Sequence, residues 1–316
     1  DIKIEGLDVG TAVVTVSDAG GKTATLTVTI GKPIAADLSP DNYIKVPFVS
    51  QYAVEDPSLR QLSNFTMDAL VKVDSWTFLH SVMGIENNFL LRVNGNRFNL
   101  ATWEPKEAGS QQEITYGRWY HVAVTFEASG EKGVARLYVD GVEHGSINDL
   151  GRNYIDLGMA GVAEAGFDEF HIGIAQGPGR PLNGSVTQVR LWSKTLSQTE
   201  LDALRGKNID PASAGLLAYW RLNEGGSLTT VTALTGNGYD GTPLRPLSKW
   251  TEYIYPSEEV TRNYRYLNDR TLIVYGLLSI TYLHLSSLLR PGRLASHPIP
   301  FLTPGSLRSP QGPSLT

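Results

Sequence analysis

The stretch Trp119-Tyr-His-Val-Ala-Val-Thr-Phe126, followed by Val134-Ala-Arg-Leu-Tyr-Val-Asp-Gly141, decides the fold. In the first run Tyr120, Val122, Val124 and Phe126 fall on one side of an extended chain, with Trp119, His121, Ala123 and Thr125 on the other. The second run alternates again, Ala135, Leu137 and Val139 against Arg136, Tyr138 and Asp140. Successive side chains of a strand point to opposite faces, so this period of two predicts half-buried strands. Asp140-Gly141 supplies the positive-φ pair that a tight hairpin needs. An antiparallel meander results, its third strand returning through Val142 to Ser146.

Strand-like segments extend in both directions. Upstream they cover residues 43–49, 65–73, 76–83, 89–93 and 97–102, separated by turns such as Asn94-Gly-Asn96. Downstream they cover 170–174, 185–192 and 216–222. Many short strands with turn residues between them predict an all-β sandwich or barrel. One helix is predicted over 195–205, where Ser197 and Glu200 form a capping box ahead of Leu201 and Leu204.

Gly117-Arg-Trp-Tyr-His-Val-Ala-Val-Thr-Phe126 with Leu137-Tyr-Val-Asp-Gly141 resembles the central signature of laminin-G-like, concanavalin A-like jelly-roll domains. The resemblance continues through Leu182-Asn-Gly-Ser-Val-Thr-Gln-Val-Arg-Leu-Trp192, Leu217-Ala-Tyr-Trp-Arg-Leu-Asn-Glu-Gly225 and Thr235-Gly-Asn-Gly-Tyr-Asp-Gly241. It implies an antiparallel jelly-roll sandwich with one short helix over residues 41–253. It does not fix a function, because the fold hosts lectins, adhesion modules and glycosidases alike.

The 316 residues allow about two domains. A net charge of −5 argues against general nucleic-acid binding, which relies on a surplus of Lys and Arg. With no cysteine, disulfides, zinc-thiolate sites and thiol nucleophiles are excluded. Residues 1–32 read as a Thr/Val-rich hairpin around Gly20-Gly21, similar to the last strands of a bacterial immunoglobulin-like repeat. Asp1 opens in mid-pattern, so the other strands of that repeat are expected upstream. Residues 33–40 read as a linker. The tail, 254–316, is expected to be mostly poorly ordered, native or not. Its apolar run Leu272–Leu285 leaves a packed amphipathic helix or a membrane anchor as alternatives. Membrane contact is not expected of the sandwich itself.

For chemistry, a glycosidase needs two carboxylates flanking the scissile bond, roughly 5–9.5 Å apart. The Glu-x-Asp-x-x-Glu strand of concanavalin A-like glycosidases is absent from the sequence, and Asp168 and Glu169 would point to opposite faces of an extended segment. No catalytic residue is therefore assigned. His121 reads as a core or hydrogen-bonding residue of the central strand. Similar domains often hold a calcium ion (Ca2+) at the rim, which takes six to eight oxygens. Asp149, Asp156 and Asp168 are the candidate ligands, with Glu164 in the same loop. The resemblance also implies losses, since Thr187-Gln188 and Ala233-Leu234 stand where carboxylates are common.

Sugars are held by an aromatic platform together with planar hydrogen-bonding side chains. Trp103 at a strand end, Glu86 and Asn88 in Met83-Gly-Ile-Glu-Asn-Asn88, and Gln176, Arg180 and Asn183 in the loop beginning Gln176-Gly-Pro-Gly-Arg180 are the candidates. Trp76, Trp119, Trp192 and Trp220 read as core. Together these features predict an extracellular or bacterial cell-surface module that binds a glycan or an extracellular protein. A purely structural domain is the alternative, and a glycoside hydrolase a third.

Overall fold

The computed structural model describes residues 2–6, 10–17, 20, 23–30, 33–75, 79–104, 106–161, 166–175, 177, 179–253 and 278–283. The chain divides into two compact units, residues 1–31 with 266–316, and residues 32–265. In the first, β1 (Ile2–Gly6) precedes a hairpin of β2 (Gly10–Ser17) and β3 (Thr23–Ile30). The hairpin is in unbroken register from Gly10 opposite Ile30 to Ser17 opposite Thr23. Alternating Thr and Val residues give both strands high β-propensity, as the sequence predicts. β1 also pairs antiparallel with a strand at Leu278–Leu283. That strand lies inside the run for which a helix was one reading, and Leu278-Ser-Ile-Thr-Tyr-Leu283 does carry a period-two alternation up to Tyr282. The rest of residues 254–316 lies outside the described residues. Among the described residues, no helix is long and apolar enough to cross a membrane.

The second unit is the jelly-roll sandwich. Its strands are β4 (Ile34–Asp37), β5 (Ile44–Val46), β6 (Asn64–Val73), β7 (His80–Ile85), β8 (Phe89–Asn94), β9 (Arg97–Thr102), β10 (Glu107–Gly109), β11 (Trp119–Ser129), β12 (Lys132–Val139), β13 (Val142–Leu150), β14 (Phe170–Ile172), β15 (Gly184–Trp192), β16 (Leu216–Trp220), β17 (Thr242–Pro243) and β18 (Trp250–Glu252). One seven-stranded sheet runs β10-β9-β8-β7-β14-β5-β17. An eight-stranded sheet runs β13-β12-β11-β6-β15-β4-β18, with β16 paired to β15. All pairings are antiparallel.

The segment read as a linker, 33–40, needs correction. Ile34–Asp37 is a strand between β15 and β18, and Ala35 and Ala36 are fully buried. Its two alanines lack the β-branched alternation that marks a strand in sequence, yet small side chains suit a crowded sheet position. Trp250 does open the closing strand. Trp76 lies outside the described residues.

Tyr120, Val122, Val124 and Phe126 of β11 face the core between the sheets, with Phe65, Met67, Ala69, Val71 and Val73 of β6. Ala135, Leu137 and Val139 of β12 join them. Burying each large apolar side chain contributes roughly 1.5–3 kcal/mol, so this layer dominates stability. Asp140 (φ 50°) and Gly141 (φ 80°) make the left-handed turn between β12 and β13.

The other face of the eight-stranded sheet is buried as well, beneath the helix Gln198–Leu204 and its Ser197–Glu200 capping box. A bulge in β15 between Thr187 and Arg190 adds one residue against β6, with Gln188 at φ 52°. That extra residue keeps Val186, Val189 and Leu191 inward and sets Arg190 opposite Asp68. Asp68, fully buried, accepts hydrogen bonds from Arg190 Nε (2.8 Å), His121 Nε2 (3.0 Å) and Trp192 Nε1 (2.9 Å). Burial alone would raise its pKa, but Arg190, His121 and Trp192 outweigh it and hold the carboxyl below its ordinary range. His121 is therefore a structural link between β11 and β6.

Candidate ligand-binding cleft

The outer face of the seven-stranded sheet carries polar side chains that the core does not need. Along β8, Phe89, Leu91 and Val93 enter the core, which turns Arg92 outward. Arg92 is nevertheless nearly buried, held by Glu107 Oε1 of β10 and by Asn99 Oδ1 of β9, to which its Nε donates at 2.9 Å. The tight turn from β7 to β8 places Asn87 at φ 56° and leaves it exposed beside buried Glu86. Gly84, at φ 129°, allows this hairpin to close, because a Cβ there would lie 2.3 Å from the Phe89 carbonyl oxygen.

These elements and the loop after β9 enclose a cleft of about 180 Å³. Its lining comes from Glu86 and Asn87 of the β7–β8 turn, Arg92 of β8, Ala101 and Thr102 of β9, Glu104 and Lys106 of the loop after β9, and Glu107 of β10. Lys106 Nζ contacts Glu104 Oε2 (2.8 Å), the Asp149 carbonyl oxygen (2.9 Å) and Asp149 Oδ1 (3.1 Å). Glu104 Oε1 in turn accepts from the Gly151 N–H at 2.7 Å. Lys106 and that N–H hold the Glu104 carboxyl below the ordinary glutamate range. Glu86 Oε1 accepts from Arg180 Nη1 at 3.3 Å, while its buried Oε2 has no hydrogen-bond partner among the described residues.

The sequence candidates are distributed as follows. Glu86 and Arg180 are paired at the cleft. Asn88 is buried behind it, donating through Nδ2 to the Asp156 carbonyl (2.7 Å), with Oδ1 unpartnered among the described residues. Asn183 Nδ2 is bonded to Ser75 Oγ and its backbone N–H points to His80 Nδ1 (3.4 Å). Gln176 lies outside the described residues. Trp103 packs its edge on Phe126 of the core (centroids 6.2 Å), and the Arg152 guanidinium sits over its ring at 3.9 Å. A sugar could stack on that face only by displacing Arg152.

The proposed calcium ligands separate. Asp149 engages Lys106, and Asp156 engages Arg60 (3.4 Å) and the Gly158 N–H (2.8 Å). Asp168 is partly buried, its carbonyl taking the Gly161 N–H. Glu164 lies outside the described residues. Among the described residues no three acidic or histidine side chains gather as a metal site, so Asp149, Asp156 and Asp168 do not come together as one ligand set.

Arg92, Thr102, Glu104, Lys106 and Glu107 were not singled out from sequence. The available signal was Arg92 itself, a cation inside the apolar strand Phe89-Leu-Leu-Arg-Val93, where only a polar outer face can accommodate it.

Comparison with known proteins agrees with the fold. A presumed carbohydrate-binding protein of Bacteroides ovatus superposes with a TM-score of 0.57 at 24% identity, over 78% of this chain and 70% of that one. Human adhesion G protein-coupled receptor D2 is 32% identical over 104 residues, covering 33% of this chain and 10% of the receptor. The rat sushi, von Willebrand factor type A, EGF and pentraxin domain-containing protein 1 is 24% identical over 145 residues, or 45% of this chain and 4% of that protein. This chain thus spans a tenth or less of these curated relatives. The Laminin_G_3 family model matches residues 42–202, about half of the chain, and the protein accordingly belongs to the concanavalin A-like lectin/glucanases superfamily.

Proposed function

We propose that the sandwich is a non-catalytic carbohydrate-binding module of a secreted or cell-surface protein. The observation that carries this is the cleft on the seven-stranded sheet, where donors and acceptors from three strands and two loops converge. The B. ovatus relative, presumed to bind carbohydrate, supports the ligand class, and the adhesion receptor supports a surface location.

The cleft's carboxylates favour binding over catalysis. A glycosidase acid needs a raised pKa. Glu104 is instead held low by Lys106 and the Gly151 N–H. Within this reading Glu86 and Arg180 stay in the site. A protein ligand is the second reading, favoured by the adhesion receptor's similarity. The N-terminal hairpin is then a spacer of immunoglobulin-like type.

A glycan array probed with the whole chain tests the proposal. Retention of at least one glycan is expected, with loss of signal for Asn87→Gly, which removes an exposed cleft amide and keeps the positive φ, at unchanged melting temperature. An array with no retained glycan would leave the protein-ligand reading in its place.

A further inference from the structure

We infer that the cleft receives a single uncharged sugar ring through its hydroxyl groups, and discriminates against uronate, sialate and sulfated sugars; this rests on the carbohydrate-binding reading above. Three observations lead there. The first is sign. Three carboxylates, Glu86, Glu104 and Glu107, line the cleft against two cations, Arg92 and Lys106, while Asp149 beside Lys106 and Arg180 beside Glu86 add one charge of each sign, which leaves an excess of one carboxylate.

The second is that both cations are already occupied. An ammonium has three N–H donors, and Lys106 has three oxygens around it, from Glu104 Oε2, the Asp149 carbonyl and Asp149 Oδ1. Arg92 is engaged by Glu107 and Asn99. An anionic sugar would have to displace Glu104 or Asp149 to pair with Lys106, and at Arg92 it would meet Glu107 at close range.

The third is the unmatched acceptor. Glu86 is 6% exposed, and its Oε2 lacks a donor among the described residues. Oε2 itself is closed off from solvent, but a carboxylate is acceptor-only, and Oε1, which takes a 3.3 Å contact from Arg180, has a second acceptor site that a sugar hydroxyl can fill. Thr102 and Asn87 add neutral polar groups on either side. The volume of about 180 Å³ is below the ~300–1,000 Å³ of pockets that enclose drug-sized ligands, which suits one ring rather than an oligosaccharide.

Isothermal titration of the whole chain against methyl glycosides of glucose, galactose, mannose and N-acetylglucosamine, and against glucuronate, N-acetylneuraminate and galactose 6-sulfate, tests this. At least one neutral glycoside should bind tenfold or more tightly than every anionic one. Glu86→Gln should weaken that neutral sugar about tenfold, and Glu104→Gln should narrow its advantage over the anionic set, with melting temperatures reporting that both variants fold. Equal or tighter binding of an anionic sugar would overturn the inference while leaving carbohydrate binding intact. A neutral preference unaffected by both variants would overturn the cleft as its source. Silence from all seven sugars, with an array that also retains nothing, would remove the carbohydrate reading on which the inference rests.

Discussion

Lowering the pH from 6.5 towards 4 should remove stability through His171. His171 is fully buried on β14, its Nδ1 donating to the Glu169 carbonyl at 2.9 Å, in a cluster with the rings of Tyr43 and Phe167. Burial pushes its pKa from 6.5 down to about 4, only partly offset by the Glu169 carbonyl. The unfolded chain therefore takes up a proton near pH 6.5 that the folded chain refuses until about pH 4. Stability is complete above the unfolded pKa and falls as pH drops through this window, because the unfolded state binds more protons there. At about 1.4 kcal/mol per tenfold change in proton affinity, the loss approaches ~3 kcal/mol. His80, lowered by the same cause, acts in the same direction. Urea denaturation midpoints at steps between pH 7.5 and pH 4.5 measure the slope. His171→Asn keeps a donor toward Glu169 but cannot titrate, so its profile should be flatter by most of that amount. A wild-type profile flat across the window, or a variant with the wild-type slope, would refute the argument.

The other predictions concern the buried faces. Asp68→Asn leaves Arg190 charged and uncompensated in the protein interior and should cost about 3–5 kcal/mol in denaturant unfolding; a loss below about 1 kcal/mol would show that Arg190 finds other partners. Tyr253→Ala should cost about 2–3 kcal/mol, because Tyr253 is 9% exposed and packs on Trp119 at 5.5 Å with Ala35 and Leu70; unchanged stability would mean that the Tyr253 ring contributes nothing to the sandwich. Arg152→Ala should uncover Trp103 and raise iodide quenching of tryptophan fluorescence, at a stability cost of ~0.5–2 kcal/mol. Unaltered quenching would show that another group covers the ring.

The central sandwich was legible because its signals are local. The alternation of β11 and β12, the Asp140-Gly141 turn and the Ser197–Glu200 box each specify their own backbone. What escaped were elements defined only by their neighbours. β4 is a strand because β15 and β18 flank it, and its alanines carry little preference of their own. The bulge at Gln188 is invisible in a run that reads as regular strand. The site was harder still. Glu86 and Arg180 were candidates because turns and loops advertise polar residues, but their pairing across 94 positions of sequence could not be read from it. Arg92, Glu104 and Glu107 come together only once β8, β9 and β10 are aligned, and Trp103 takes its setting from Arg152, 49 positions away by residue number.

Hydrogen exchange of the whole chain, with and without a glycan retained on the array, tests the central claim most directly. The account predicts slowed exchange in the β7–β8 turn around Glu86 to Asn88 and in residues 101–107, with the helix Gln198–Leu204 and the β2–β3 hairpin unchanged. Protection confined to any other surface, with residues 86–107 exchanging as they do in the free protein, would contradict it.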